Sequence, residues 1–184
     1  NIIYSALEEL RRMSKMVDDM LFLAKADNGK IIPSTEDASM AEITAGVVEY
    51  YDLAAEDRNV KIELSGDGHV QGDKSMLRRA ISNIVSNAVR YAEEGSTISV
   101  EIRKSDTTIS TAISNRGITI PEELQARVFD RFYRVDTARR EGTTLNAGLG
   151  MAITRSIVEA HKGRIACDSA DGYTTFTLTL PRHT

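Results

Sequence analysis

Apolar residues recur at helical spacing over residues 2 to about 27 and predict one long amphipathic helix. They fall at i, i+3, i+4 and i+7 steps, and charged side chains fill most of the positions between them. Asn28-Gly29 is typical of a helix C-terminus, and Pro33 would block any continuation. A helix with so broad an apolar stripe needs a partner to cover it, so we expect it to pack against other helices in a bundle or a dimer.

After a short linker near 34–37, the pattern switches between two periods. A period near 3.6 predicts helices over about 40–57, 74–93, 121–129 and 149–161. A period of two predicts strands at 60–65, 97–105, 107–115, 164–169 and 173–181, with a short one at 69–72. The strands that meet at Asp106 are expected to form a hairpin. The predicted class is α+β, with several helices against one face of a mixed sheet.

Composition narrows the functional classes. The chain of 184 residues is 41% hydrophobic and 27% charged, which is typical of a globular protein with an apolar core. Its net charge of −4 comes without any dense Lys/Arg tract, so no nucleic-acid or polybasic membrane surface is indicated. Only 5% of the residues are aromatic, which argues against a reader of single-stranded nucleic acid.

Further features are the single cysteine, the absence of a long apolar run, and the way in which the chain begins. Cys167 is the one cysteine, so no internal disulfide forms; it lies in a predicted strand and is interpreted as a small core residue. No apolar run reaches the ~20 residues of a membrane helix, and no signal peptide is evident. Because the chain opens in mid-helix without an initiator methionine, we expect a piece of a larger protein.

Two asparagines stand one turn apart inside the helix predicted over 74–93. Asparagine is unfavourable in a helix interior, because its side chain competes for backbone hydrogen bonds. Asn83 and Asn87 share one face, and Arg90 follows on a related face. An amide oxygen can ligate Mg²⁺ and a cation can meet phosphate, so the face could hold a metal-bound phosphate. The alternative is a pair of core amides satisfied by a neighbouring loop.

Glycines open two later stretches. Gly117, in "NRGITIP", directly follows a strand and allows a close backbone approach to a ligand. Gly148 and Gly150, in "NAGLGMAI", precede an apolar helix, and the free N–H groups of a helix start suit a polyphosphate. Taken singly, each stretch could equally be an ordinary turn that ends a strand or begins a helix. Between them, residues 116–147 show no long regular pattern, which is typical of a functional lid.

In this order, the asparagine helix, the glycine turn, "FDRFYRVD" and the GLG helix start resemble the N, G1, F and G2 boxes of sensor histidine kinases. Their ATP-binding domain belongs to a group that includes DNA gyrase and the heat-shock chaperones. The segment "LRRMSKMVDDMLFLAKADNG" resembles the second helix of the dimerisation hairpin in the same kinases. With "FDRFYRVD" and "SIVEAHKGRI", it is most similar to heavy-metal sensors of the copper/silver type.

The resemblance implies a two-layer α/β sandwich preceded by a long helix. Residues 1–30 would be the second helix of the dimerisation and phosphoacceptor hairpin, without its first helix. Residues 34–184 would be the ATP-binding domain, with a lid at about 118–147.

It also implies ATP and Mg²⁺ as cofactors and assigns roles to residues. Asn87 would ligate Mg²⁺, and Asn83 and Arg90, the candidate catalytic residues, would position the phosphates. Tyr91 would pack beside the nucleotide. The other implied contacts are Asn115 (to adenine N6), Gly117 (beneath adenine), Phe129 and Phe132 (lid anchors), Arg131 and Arg134 (phosphate or partner contacts), and Gly148, Leu149 and Gly150 (phosphate cradle).

The sequence departs from the family pattern at the nucleotide boxes. Asn115 replaces an aspartate, which removes a charge-assisted hydrogen bond although the amide oxygen can still accept. Thr119 and Asn146 stand where further glycines are common. These changes bear on nucleotide affinity and lid geometry rather than on the fold.

The phosphoacceptor is the larger difference. None of the three histidines, His69, His161 and His183, has the setting of the family's acceptor, and we interpret all three as structural or surface residues. The implied protein is a bacterial inner-membrane sensor kinase in heavy-metal two-component signalling. This chain would be a cytoplasmic portion, with no membrane segment and no nucleic-acid partner.

Three functions follow from the resemblance and stay open at this stage. The first is a protein-histidine kinase region that phosphorylates a histidine on its own missing phosphoacceptor helix, within a homodimer, and passes the phosphoryl group to a response regulator. The second is a nucleotide-binding regulatory module with weak or no phosphotransfer. The third is a serine-directed kinase of the same ATPase group, for which the dimerisation-type helix has no obvious use.

Overall fold

The computed structural model describes residues 2–134 and 148–182. In chain order the helices are α1 (Ile2–Asp27), α2 (Met40–Glu56), α3 (Lys74–Tyr91), α4 (Glu122–Gln125) and α5 (Gly150–Ala160). The strands are β1 (Glu36–Ser39), β2 (Lys61–Gly66), β3 (His69–Gly72), β4 (Thr97–Lys104), β5 (Thr108–Arg116), β6 (Arg164–Ala170) and β7 (Tyr173–Pro181). A 3₁₀ turn at Ala126–Phe129 continues α4, so the short helix predicted at 121–129 divides into two pieces.

A five-stranded mixed sheet carries the domain. Its order is β2-β4-β5-β7-β6, in which β2 and β4 are parallel and the other neighbours are antiparallel. Alternate residues of β4, β5 and β7 are buried, so one face is covered by helices while the other is more open. The predicted α+β class and mixed sheet are confirmed.

The predicted linker at 34–37 is partly wrong, because Glu36–Ser39 form strand β1. This strand pairs antiparallel with β3, and Ala38 lies opposite Val70. Four residues are too few for an alternating pattern to stand out in the sequence, and the strand depends on its partner for its hydrogen bonds.

Helix α3 lies at the centre of the core. Its apolar side chains are almost fully buried: Leu77, Ala80, Ile81, Ile84, Val85, Ala88 and Val89. All of them except Ala80 pack with sheet residues such as Val100, Ile113 and Leu178 in one cluster, and Ala80 packs with Leu23 and Leu149 in a second cluster. This packing fixes the place of the helix in the core, and its polar side chains lie on the remaining face.

A hydrogen-bonded junction joins the start of α3 to the end of α5. Asp73 caps α3 by accepting from Met76 N at 3.0 Å, and this bond lowers the pKa of the Asp73 carboxyl. His161 Nε2 accepts from Asp73 N at 3.0 Å, and His161 Nδ1 donates to Ile157 O at 2.7 Å. His161 therefore has the structural role that the sequence predicts.

Only the last part of the apolar stripe of α1 is covered in the structure. Leu23 is 2% exposed and packs in a cluster with Leu149 and Ile153. The preceding apolar side chains are exposed: Leu7, Leu10, Met13, Val17, Met20 and Leu21. The expected helical partner for this stripe stays a prediction.

Two smaller observations complete the fold. Cys167 is half-buried in β6, and burial raises the pKa of its thiol to about 12, in keeping with a core residue. Among the helices at 2–134 and 148–182, none combines the length and the apolar character that a membrane span requires.

Candidate functional site

A cavity of about 440 Å³ collects the residues that three separate motifs supply. Nine of the ten predicted binding residues line it: Asn83, Asn87, Arg90, Tyr91, Asn115, Arg134, Gly148, Leu149 and Gly150. They come from α3, the end of β5, the residue before the undescribed segment 135–147, and the start of α5. Residues far apart in the chain, such as Asn83 and Gly150 at a separation of 67, thus meet at one opening.

Gly117, the tenth residue, contributes through the backbone rather than as a lining residue. A Cβ at Gly117 would stand 2.4 Å from Tyr91 O, so only glycine lets the strand end approach the end of α3. Gly117 N donates to Gly172 O at 2.8 Å, which holds this turn against the β6–β7 connection.

Asn83 joins α3 to the start of α5. Its Nδ2 donates to Gly150 O at 2.9 Å and to Thr154 Oγ1 at 3.2 Å. A Cβ at Gly150 would stand 3.4 Å from Asn83 Cγ, so the contact is close packed. The amide nitrogen of Asn83 is therefore satisfied by a neighbouring element, and the side chain holds the glycine turn in place.

Asn87 differs from Asn83 although it lies one turn further along the same face. It is half-buried and lines the cavity, and it makes no side-chain hydrogen bond to any residue that the structure describes. A polar group partly withdrawn from water and left without a protein partner is available to a ligand.

The glycine turn before α5 presents backbone donors to the cavity. Gly148 has a φ of +72° and accepts from Phe132 N through its carbonyl at 2.9 Å. A Cβ at Gly148 would stand 3.0 Å from the Phe132 backbone. Helix α5 begins without a side-chain cap, so its first N–H groups and the positive end of its dipole are open to an anion.

The lid anchors are only partly as predicted. Phe129 is buried and makes an edge-to-face contact with Phe176, with ring centroids 6.1 Å apart. The Phe132 side chain is 56% exposed, so its predicted anchoring role is wrong for the side chain; its backbone N–H bonds Gly148 instead. Its backbone φ is +61°, a left-handed conformation that is uncommon for a residue other than glycine.

Arg131 lies outside the cavity and contacts another part of the chain. Its Nη2 donates to Asp27 Oδ1 at 2.5 Å, at the end of α1. Arg131 is not among the residues that line the cavity, and the contact that the structure shows for it is with the N-terminal helix of the same chain. Arg134 does line the cavity. Residues 135–147 of the predicted lid, with Asn146, and His183 lie outside the described residues.

Asn115 and Thr174 form the buried polar end of the cavity. The two residues are register partners on β5 and β7, and they are 5% and 6% exposed. Asn115 Nδ2 donates to Arg116 O at 3.3 Å, and its Oδ1, an acceptor, makes no hydrogen bond within the described residues. Exposed and half-buried isoleucines, Ile118 and Ile120, add apolar surface beside them.

Sequence reasoning missed several residues of the cavity. Thr174 has no local signal, because only the register of β7 brings it beside Asn115. Arg58 donates through Nη2 to Ala92 O at 3.1 Å and through Nη1 to Arg90 O, and so places a cation at the C-terminus of α3. Tyr51 lies 3.1 Å from Ser82 Oγ through its hydroxyl. Neither Arg58 nor Tyr51 belongs to a motif.

One wall of the cavity comes from the N-terminal helix. Arg12, Lys15, Met16 and Asp19 of α1 all line it. The sequence predicts that α1 meets other helices, and it holds no signal that this face borders the same cavity as the asparagines.

Comparison with known proteins identifies the family. Residues 72–184 match the family described as histidine kinase-, DNA gyrase B- and HSP90-like ATPase, and the chain belongs to this family. Within it, the chain is 46% identical over 183 residues to sensor histidine kinase CusS of Escherichia coli (strain K12), covering 98% of this chain and 38% of CusS. It is 44% identical over 188 residues to probable sensor kinase SilS of Salmonella typhimurium, covering 99% of this chain and 37% of SilS.

Solved structures agree with the fold. The structure of histidine kinase AdeS of Acinetobacter baumannii matches with a TM-score of 0.83, covering 99% of this chain and 84% of that chain. The two sequences are 19% identical, so this match speaks for the fold alone. The chain spans less than two fifths of the length of CusS and SilS.

Proposed function

We propose that this chain is the ATP-binding catalytic region of a heavy-metal-responsive sensor histidine kinase. It binds Mg·ATP and donates the γ-phosphate to a histidine outside these 184 residues. Membership of the ATPase family and the similarity to sensor kinases over nearly the whole chain support this proposal. The observation that carries it is the single cavity in which nine residues of the separate nucleotide motifs meet.

The cavity accommodates the parts of ATP in sequence. The adenine lies at the buried end, where Asn115 accepts a hydrogen bond from the N6 amino group. The triphosphate lies at the open start of α5, against the turn at 148–150, because helix N-termini stabilise phosphate groups. Arg90 and Arg134 line the same cavity and supply positive charge near the anion.

The residues present fit a Mg²⁺ ion that arrives with the nucleotide. Residues 2–134 and 148–182 contain no group of three or more His, Cys, Asp or Glu side chains that could hold a metal alone. Mg²⁺ in nucleotide sites takes few protein ligands and completes its shell with phosphate oxygens and water. The unpartnered amide oxygen of Asn87 would supply one protein ligand. When bound, the ion neutralises charge on the phosphates during transfer.

The protein residues contribute positioning rather than covalent chemistry. Asn83 holds the glycine turn through Gly150, and Phe129 fixes the segment that precedes Arg134. Phosphoryl transfer depends on alignment and on stabilisation of charge, so a rigid cradle that exposes the γ-phosphate is what this region provides.

The domain organisation follows the same proposal. Residues 1–30 form the second helix of a dimerisation hairpin, and residues 34–184 form the catalytic domain. The exposed apolar stripe of α1 would pack against the first hairpin helix and the matching helices of a second copy. The phosphoacceptor helix, a response regulator and a homodimeric partner are therefore the proposed partners. The chain would be a cytoplasmic part of a membrane kinase.

A nucleotide-binding module without phosphotransfer is the second candidate, favoured by the uncharged Asn115 at the adenine end. Calorimetry with Mg·ATP, followed by transfer of labelled phosphate to a supplied acceptor hairpin, separates the two candidates. We expect binding and acid-labile label on the hairpin. Binding without transfer would favour the module, acid-stable label on serine would favour a serine kinase, and absence of ATP binding would contradict all three.

A further inference from the structure

One face of α1 runs from a buried anchor to the cavity. Asp19 precedes Leu23 by four residues, and Lys15 precedes Asp19 by four, so the three side chains lie on one face of the helix. Arg12 and Met16 extend the same stripe, and all of these except Leu23 line the cavity. Hence the surface of α1 that meets the catalytic domain is also the surface that meets the cavity.

The anchor places this face beside the glycine turn. Leu23 is 2% exposed and shares a cluster with Leu149, the residue between Gly148 and Gly150. Lys15 is exposed whereas Asn115 is buried, so Lys15 lies toward the open part of the cavity, which includes the start of α5, rather than at the buried end marked by Asn115. That start is the end of the cavity where free backbone N–H groups suit phosphate.

A polar latch holds α1 in this position. Arg79 Nη2 donates to Asp19 Oδ1 at 2.6 Å, and Asp19 is only 15% exposed. The Arg79 guanidinium also lies 4.5 Å from the centroid of the Phe22 ring. Arg79 stands one turn before Asn83 on α3, so the latch is built on the helix that carries the asparagines. A second ion pair, Arg131 to Asp27 at 2.5 Å, ties the end of α1 down.

Two positively charged residues of α1, Arg12 and Lys15, and one negatively charged residue, Asp19, line the cavity. Asp19 is neutralised by Arg79, whereas Arg12 and Lys15 both line the cavity. Arg12 Nη1 also donates to Glu9 Oε2 at 3.3 Å, in a pair exposed to solvent, which screening weakens. Lys15 is exposed, and its flexible stem allows the ammonium to follow a phosphate.

We infer that α1 is a wall of the nucleotide site, in which Arg12 and Lys15 act on the phosphate end of the ligand and the Asp19–Arg79 latch positions them. This inference rests on the proposed nucleotide function. By linkage, a nucleotide that binds more tightly when α1 is docked also stabilises the docked position of α1. The N-terminal helix thus contributes binding residues in addition to an interface.

Matched charge variants on the same helix test the contacts. Arg12→Gln and Lys15→Gln are compared with Arg11→Gln and Lys25→Gln, which remove the same charge at positions that do not line the cavity. Calorimetry of the full chain with ATP, ADP and adenosine gives the affinities. We expect each cavity-side variant to weaken ATP about two- to fivefold, as for a solvent-accessible charge pair. The effect should be smaller for ADP, absent for adenosine, and reduced by salt.

A second measurement reads the latch independently of affinity. Amide hydrogen exchange over residues 12–23 is followed with and without a non-hydrolysable ATP analogue, in Asp19→Asn and in Asp18→Asn. We expect the analogue to slow exchange in the parent chain and in Asp18→Asn, and to do so less in Asp19→Asn, because only Asp19 bonds Arg79. The exchange difference is taken within each variant, with and without the analogue, so a change of stability caused by the substitution itself affects both measurements.

The outcomes separate the two proposals. If the parent chain does not bind ATP, both the proposed function and this inference are wrong. If the parent chain binds ATP while the cavity-side and control variants bind alike, the wall is wrong and the proposed function stands. Equal weakening of ATP and adenosine by Lys15→Gln would also overturn the inference, because the effect would then not come from phosphate.

Discussion

At the scale of single residues, two identical side chains one turn apart have different roles. Asn83 donates to Gly150 O and Thr154 Oγ1, so its amide holds two helices together. Asn87 has no side-chain hydrogen bond within the described residues, and it lines the cavity. The sequence left two interpretations open, a ligand-binding face and a pair of core amides. The first suits Asn87, and the second suits Asn83.

Replacing each asparagine by alanine should separate these roles. We expect Asn83→Ala to lower the free energy of unfolding by about 1 kcal/mol, because it removes hydrogen bonds from a half-buried junction. Asn87→Ala should change stability by less than about 0.5 kcal/mol and abolish Mg²⁺-dependent nucleotide binding. Urea denaturation gives the stabilities, and calorimetry with and without a chelator gives the binding. Normal binding of Mg·ATP by Asn87→Ala would refute the assigned role.

Asn115 offers a gain-of-affinity test at the adenine end. Asn115→Asp restores a charged acceptor, and charge-assisted hydrogen bonds are stronger than neutral ones. We expect the preference for ATP over ITP, which lacks the N6 amino group, to rise by about fivefold, which corresponds to about 1 kcal/mol. The ratio of the two affinities cancels any general loss of folding caused by a charge at a position 5% exposed. An unchanged ratio would show that Asn115 does not contact the base.

At the scale of elements, the site depends on how helices begin. Helix α3 begins at a capped aspartate, and helix α5 begins at an uncapped glycine turn. The first arrangement stabilises the helix that carries the asparagines, while the second leaves backbone donors for a ligand. The start of α3 therefore contributes to stability, and the start of α5 is available for binding.

The cap of α3 should make stability depend on pH. The folded-state pKa of Asp73 is lowered, chiefly by the Met76 N–H bond, so its contribution is complete above the unfolded pKa, about 3.9. It is then lost as pH falls through the lower folded pKa. Relative to Asp73→Asn, which keeps a capping group, the parent chain should therefore lose stability below about pH 4. Asp73→Ala should cost about 1 kcal/mol at neutral pH. Urea titrations across the pH range measure the free energy of unfolding. If it had the same pH dependence in the parent chain and in Asp73→Asn, the assignment would be contradicted.

Substitution of two glycines that both have a positive φ tests the phosphate cradle. Gly148 and Gly29 have φ values of +72° and +63°, so alanine at either position meets the cost of the left-handed region, about 1 kcal/mol. A Cβ at Gly29 has nothing within 4 Å, whereas one at Gly148 would stand 3.0 Å from the Phe132 backbone. Gly148→Ala should therefore be the more destabilising change and should weaken ATP binding, while Gly29→Ala should leave binding intact. Equal effects on binding would argue against a cradle at 148–150.

At the scale of the whole molecule, the structure brings one ATP-type cavity together with one long helix. The C-terminal end of α1 packs against the rest of the chain, and most of the apolar stripe of α1 is exposed. The same helix borders the cavity, so any partner that moves it would also change the surroundings of the nucleotide. The inferred coupling between the position of α1 and nucleotide binding therefore belongs to the whole molecule rather than to any one motif.

This arrangement predicts little or no self-phosphorylation of the chain. Both ring nitrogens of His161 are engaged, with Ile157 O and with Asp73 N, and His69 lies beside Asp37 at 3.1 Å. We expect no acid-labile label on the chain incubated with labelled Mg·ATP, and label on an added acceptor hairpin. Mass spectrometric detection of phosphate on His161 would contradict the expectation.

Much of the fold could be predicted from local pattern. The bounds of α1 and of the strands in the central sheet are confirmed to within one or two residues, because long segments have a clear period. Strand β1 was missed because it is four residues long and is stabilised by β3. The exposure of the Phe132 side chain was not predicted, because what surrounds a side chain depends on tertiary packing.

Periodicity and glycine placement are local properties, so the sequence was enough to predict the α+β class, the motifs and their order. The tertiary structure was needed to show how those motifs meet. It brought Asn83 to Gly150, placed Thr174 beside Asn115 through strand register, and set Arg12 and Lys15 at the cavity. Such contacts join residues far apart in the chain, and they depend on packing geometry that no short window of sequence contains.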